Sequence, residues 1–158
     1  MDEIMDGIIG DDLGGEDNHE YLIFNVNDID FGLGIGLVQE IIQMQRIFAI
    51  PHAVASCKGI INMRGTIVPV IDMRIKLGFE PMDYNDKTCI IVIEVEGEQI
   101  GMIVDSVKDV LRINSEDISS APTAIDDRKK SGLLSNVAVV NGEVKQILDV
   151  YTVFGIDR

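Results

Sequence analysis

Cysteine and histidine are nearly missing from this 158-residue chain, with two of each. Cys57 and Cys89 are too few to build a disulfide framework, and they fit a reducing interior. His19 and His52 have no Cys or His partner at metal-ligand spacing, which argues against a zinc site. There is no G-x-S-x-G elbow and no Walker loop. Basic residues are scarce too, 13 against 27 acidic ones, and the formal net charge is −14. Such a field repels phosphate backbones and anionic lipid, so general nucleic-acid or membrane-surface binding is excluded as a main role. No apolar run approaches the roughly 18–20 residues that span a bilayer. The basic start and apolar stretch of a secretory signal are also lacking. These absences describe a soluble, acidic, cytoplasmic protein with no visible catalytic constellation. Apolar residues nevertheless make up 46% of the chain, enough for a globular core.

Residues 1–19 hold seven acids and no Lys or Arg, half of the net negative charge. Four glycines and no sustained period make this a disordered acidic tail. Its Ile4, Met5, Ile8 and Ile9 are capable of weak docking on a partner, but a solvated leader is the simpler reading.

From Glu20 onward, short apolar runs alternate with turn residues. YLIFNV (21–26) and IDFGLGI (29–35) flank Asn27-Asp28, and GIINM (59–63) and TIVPVID (66–72) flank Arg64-Gly65. CIIVIEV (89–95) and QIGMIV (99–104) flank an acidic Gly97 turn, and LLSNVAVV (133–140) and EVKQIL (143–148) flank Asn141-Gly142. These are four hairpins, Asn-Gly being the strongest two-residue hairpin signal. Pro69 lacks a ladder donor and predicts an edge strand or a bulge. Short helices are expected around Leu37–Gln45, around Met73–Leu77 before Gly78, and at Val150–Phe154. Strands at this spacing make an all-β fold of the sandwich or barrel type.

An internal repeat sharpens that reading. Gly32, Ile35, Val38, Glu40 and Ile41 match Gly101, Val104, Val107, Asp109 and Val110, each 69 positions later. GTIVPVID (65–72) is echoed by GEVKQILD (142–149) at a spacing of 77, the difference falling in the longer loop 114–131. Two related β lobes follow, broadly 20–84 and 85–158, with strands open to exchange. Each alone is marginal in size, so the two should share buried surface.

The remaining polar motifs have plain structural readings. Gly32–Gly36 lacks the Lys-Ser/Thr of a phosphate cradle and serves better as a place where a strand bends or another backbone approaches. Cys57 and Cys89 lie in apolar contexts and read as packing thiols. Asp72 and Asp149 end matching strands and should cap or close turns there. Asp126-Asp127 beside Arg128-Lys129-Lys130 is a solvated loop of mixed sign.

Taken together, GLVQEI (36–41), KGIINMRGTIVPVIDMRIKLG (58–78), QIGMIVDSVKDVL (99–111) and GEVKQILDV (142–150) resemble the CheW family of bacterial chemotaxis coupling proteins. The resemblance covers about residues 20–155, and its most specific part is G-I-I-N-x-R-G-x-[IV]-[IV]-P-V-[IV]-D. It implies two SH3-like five-stranded barrels packed around a shared core, no catalytic activity and no cofactor. It implies an adaptor that bridges the cytoplasmic tip of transmembrane chemoreceptors to the regulatory domain of the histidine kinase CheA, at the inner face of the membrane. Val38, Glu40, Gly59, Arg64, Gly101, Val107 and Val110 match positions of the receptor groove, with Glu40 and Arg64 as an acidic–basic pair. Ile35 and Met44 lie near positions that face the kinase. The stretch 119–133 matches only weakly. Two other readings compete: the same adaptor in a signalling array outside chemotaxis, and a small-ligand or enzymatic double barrel, against which the missing His and nucleophile motifs argue.

Overall fold

In the computed structural model, residues 19–120 and 134–155 are described; the acidic tail and most of the weakly matching stretch 119–133 lie outside them. Eleven strands form two antiparallel-rich sheets among these residues. They are β1 (Glu20–Val26), β2 (Ile29–Gly34), β3 (Val38–Gln43), β4 (Cys57–Met63), β5 (Thr66–Asp72), β6 (Cys89–Val95), β7 (Glu98–Val104), β8 (Ser106–Arg112), β9 (Ile118–Ser120), β10 (Leu134–Val140) and β11 (Glu143–Leu148). The two α-helices are short, α1 (Met73–Lys76) and α2 (Val150–Phe154). All four expected hairpins form: β1–β2, β4–β5, β6–β7 and β10–β11.

The repeat appears directly in the topology. One sheet runs β8-β1-β2-β11-β10-β9 and the other β3-β6-β7-β5-β4. In each, the first hairpin of one half is joined in parallel by the last hairpin strand of the same half's partner set: β2 by β11 and β7 by β5. The third strand of each half crosses over, so β3 pairs with β6 and β8 with β1. Both sheets therefore contain strands from before and after residue 84. One sheet has five strands, as expected, and the other six when the three-residue β9 is counted.

This exchange explains the helix expected at Leu37–Gln45, which is instead a 3₁₀ turn (Ile35–Leu37) followed by strand β3. VQEIIQ carries no decisive local period, and its hydrogen-bonding partner lies about fifty residues away in β6. Non-local pairing settled what local propensity left open. Pro69 is a second correction. Its strand lies inside the sheet, between β4 and β7, and the nearby register shift is in β4 between Cys57 and Gly59. The ladder with β7 covers only Val70–Asp72, so the missing Pro69 donor costs no bond on that side.

Alternate residues of the central strands feed different cores. Cys89, Ile91, Ile93 and Val95 of β6 join Leu22, Phe24, Phe31 and Leu33 in a cluster shared by both sheets. Ile90 and Val92 point the other way, into a separate cluster with Ile61, Val68, Val70 and Ile103. Burial on both faces is why CIIVIEV reads as a continuous apolar run rather than an alternating one. A smaller cluster of Ile113, Ala138 and Ile147 fills the six-stranded side. The fold is thus two β subdomains packed on a common core.

Candidate functional site

The five-stranded sheet closes on itself through the segment that follows β3. Phe48 and Ile60 exchange backbone hydrogen bonds, Phe48 N to Ile60 O at 2.8 Å and Ile60 N to Phe48 O at 2.9 Å. Gly59 makes that approach possible: a Cβ there would stand 2.2 Å from the Phe48 carbonyl oxygen, and its φ is +139°. Gly101 is buried in β7, where an added Cβ would meet Val70 Cγ1 at 2.8 Å. Both glycines are positions of tight packing, which is enough to require them.

Arg64 and Glu40 come together across the seam. Arg64 Nη1 donates to Glu40 Oε1 at 3.1 Å and Nη2 to Oε2 at 2.6 Å. This two-pronged geometry matches the planar guanidinium to the carboxylate. The Arg64 hydrogen bonds hold the Glu40 carboxyl below its ordinary pKa. The Arg64 side chain is 72% exposed and that of Glu40 27%, so the pair is worth little to the fold. Arg64 also sits at φ +52° in the β4–β5 turn, a conformation that favours Gly or Asn. Asn62 steadies the turn by accepting from Gly65 N at 2.8 Å. Asn141, its counterpart in the β10–β11 turn, has φ +53°, so this backbone state is that of the tight hairpin turn in both halves.

Val38 begins β3 two residues before Glu40 and is buried in the shared core. Val107 and Val110 of the exchanged strand β8 are half-buried and pack against the same cluster. Three of the expected site valines thus belong to the apolar cluster shared by the two sheets. The strands that exchange, β3 and β8, carry them there. Ile35 is 3% exposed and acts as a core side chain, while Met44 is half-buried against the cluster of the five-stranded barrel.

One arrangement went unread in the sequence. Arg74 of α1 is buried and donates to Asp105 Oδ2 at 2.5 Å, to Asn27 Oδ1 at 2.9 Å and to the Glu80 carbonyl at 2.8 Å. Asp105 also accepts from Asn27 N at 2.8 Å. Arg74 follows β5, Asn27 is the turn of β1–β2, and Asp105 links β7 to β8, so the cluster joins the two sheets. The repeat places Tyr151 and Glu96 at the corresponding points, where the Tyr151 hydroxyl stands 3.4 Å from Glu96 Oε1. The only sequence signal was the polar Asp105 inside QIGMIVDSVKDVL.

Asp72 caps α1, accepting from Arg74 N at 2.9 Å, and Asp149 caps α2, accepting from Tyr151 N at 3.2 Å. Asp72 is also bonded by the Tyr84 hydroxyl at 2.8 Å, and burial first, then that carboxylate, raises the Tyr84 pKa. Burial pushes the Cys89 thiol up to about 11. Among the described residues, no group of three or more His, Cys, Asp or Glu is arranged to hold a metal ion. No helix among them is long and apolar enough to cross a membrane.

Two β subdomains that exchange strands around one shared core define a double-barrel β protein. Residues 20–157 match the CheW-like domain family. The chain is 37% identical over 111 residues to a chemotaxis protein CheW of Klebsiella aerogenes, covering 70% of this chain and 67% of that one. It is 30% identical over 135 residues to CheW of Rhizobium meliloti, covering 85% and 86%. The crystal structure of a scaffolding protein CheW from Thermoanaerobacter tengcongensis superposes with a TM-score of 0.80 at 28% identity, covering 89% of this chain and 94% of that one. The chain belongs to the CheW-like family, and is a chemotaxis coupling protein of the scaffold type.

Proposed function

We propose that this chain is a non-catalytic adaptor that joins the cytoplasmic tip of methyl-accepting chemoreceptors to the regulatory domain of the histidine kinase CheA, at the inner face of the membrane. The observation that carries the reading is the two-pronged Arg64–Glu40 pair, whose arginine side chain is 72% exposed. A receptor tip offers the apolar stripe of a helical hairpin. Val107 and Val110, both half-buried, supply branched apolar surface for such a stripe, Val38 packs the core behind the strand that carries Glu40, and the ion pair sets register and partner choice. Gly59 and Gly101 keep the walls in shape, and Met44 belongs to the kinase-facing side, while Ile35 acts there only through the core it fills.

Titration calorimetry with the isolated CheA regulatory domain and with a receptor cytoplasmic fragment tests this. A saturable one-to-one isotherm with each is expected. Arg64→Ala should weaken the receptor isotherm at least tenfold and leave the kinase isotherm unchanged. Equal loss of both, or no heat with the kinase domain, would overturn the assignment.

A further inference from the structure

From Ile41 to Ile71 the chain has no Asp or Glu, although 27 acids are spread over the rest. Within that stretch, residues 44–56 form a strap across the seam of the five-stranded barrel. It is tied at one end by the Phe48–Ile60 bridge and at the other by the bond from Asp72 N to Ser56 O at 2.7 Å. Between the ties a turn brings Ala53 N to Ile50 O, with His52 at φ +65°. Its apolar side chains face solvent: Phe48 is 46% exposed, Ile50 44% and Val54 69%. Arg46 lies 4.8 Å from the centre of the Phe48 ring, and Lys58 flanks the far end. Neither cation has an ion-pair partner among the described residues. Lys58 lines a cleft with Asp72 and Asp83, so Arg46 is the cation that stands clear of carboxylates, and an exposed apolar ridge with such a cation beside it suits a covering group that is apolar and acidic.

The same chain carries one. Residues 1–18 contain Asp2, Glu3, Asp6, Asp11, Asp12, Glu16 and Asp17, with Ile4, Met5, Ile8 and Ile9 among them and no Lys or Arg. We infer that this acidic N-terminal segment docks on the strap 46–58 of its own molecule, setting its isoleucines on Phe48, Ile50 and Val54 and its carboxylates beside Arg46 and Lys58. Eighteen residues reach up to ~60 Å when extended, more than enough to cross a domain of this size. Tethering makes the contact intramolecular, with an effective concentration on the order of millimolar, so weak complementarity suffices. The rest of the chain carries the other half of the negative charge and repels the segment, which leaves the acid-free strap as its place of lowest energy. The inference does not rest on the receptor and kinase assignment, although the strap begins at Met44, which that assignment sets on the kinase-facing side.

The test is paramagnetic relaxation in the full chain. Cys57→Ser and Gly10→Cys place one accessible thiol for a nitroxide, since Cys89 is buried. Amide signals of residues 46–54 should lose at least half their intensity in 20 mM salt and recover it in 0.5 M salt, where the Debye length falls to ~4 Å. The loss should vanish in the exposed-site double variant Arg46→Glu/Lys58→Glu, while its circular dichroism stays unchanged. Isotope-labelled chains without nitroxide, mixed with unlabelled nitroxide chains, should show no loss. No loss at 46–54, loss centred elsewhere, persistence in the double variant, or loss in the mixed sample, which would mean docking on a second copy, would each overturn the inference.

Discussion

Arg64 and Asp30 show how differently a charge is used at the surface and at the edge of the core. Arg64 occupies a left-handed turn position and a solvated ion pair, so removing it should not harm the fold. Arg64→Asn, which suits the turn better, is expected to melt at the same or a slightly higher temperature while losing receptor binding, as calorimetry and thermal denaturation would read. Asp30 is the opposite case. It accepts from Lys145 at 2.6 Å and from Lys108 at 3.2 Å, and the Lys145 side chain is only 5% exposed. Burial works to raise the Asp30 pKa, but hydrogen bonds from Lys145, Asn25 and Lys108 outweigh it and hold the carboxyl below its ordinary value. The hydrogen bond to Asp30 raises Lys145 in turn, against its desolvation. A depressed carboxylate stabilises fully above its unfolded pKa of ~4 and progressively less as pH falls through the lower folded value. A raised lysine stabilises below ~10.4 and loses that contribution as pH climbs through its higher folded value. Denaturant midpoints should therefore be flat across neutral pH and fall below about pH 4. Asp30→Asn should cost about 3 kcal/mol at pH 7 by leaving the buried Lys145 with only the longer, 3.3 Å contact to the exposed Glu143, and should flatten the acid limb.

At the scale of strands, the repeat places a glycine opposite a branched residue in each half. Gly32 faces Ile147 across β2–β11, and Gly101 lies beside Val70 across β7–β5. An added Cβ would stand 2.7 Å from Ile147 Cδ1 in the first and 2.8 Å from Val70 Cγ1 in the second. Overpacking of this kind costs about 1–3 kcal/mol. Gly101→Ala should destabilise by about 2 kcal/mol, and combining it with Val70→Ala should cost less than the two single changes added together, as a double-mutant cycle in urea would measure. The hairpins were legible in the sequence because Asn27-Asp28, Arg64-Gly65, Gly97 and Asn141-Gly142 are local signals of tight turns. The repeat made Val38 equivalent to Val107 and Ile41 to Val110, while their place in a receptor groove was implied by the family resemblance alone. Strand β3 was not legible, because VQEIIQ takes its conformation from a partner in β6. Pro69 misled for a related reason: a missing donor predicts an edge only when the neighbouring ladder runs the whole length of the strand.

The exchange of β3 and β8 has a consequence for the molecule as a whole. Neither subdomain can unfold without taking a strand from the other, and the largest apolar cluster draws on both sheets. The Arg74–Asp105–Asn27 cluster was invisible in the sequence because its three residues are far apart in the chain and meet only when the crossover is made. It is also a point where the repeat differs in chemistry, since a Tyr151 hydroxyl and a Glu96 carboxylate stand where the first half has Arg74 and Asn27. Removing the guanidinium leaves Asp105 with one fewer donor in a site where its side chain is 21% exposed. Arg74→Met should therefore cost about 3 kcal/mol, the lower end for breaking a buried pair, because partial solvation eases the loss. The expected signature is a single unfolding transition shifted to lower denaturant, with amide protection in β1–β2 and β6–β7 reduced together, as hydrogen exchange would report. Two separated transitions, or protection lost from one sheet alone, would mean that the exchanged strands do not bind the subdomains into one cooperative unit. In that case the valine junction would be a flexible joint between two independently stable barrels, and not a preformed cleft.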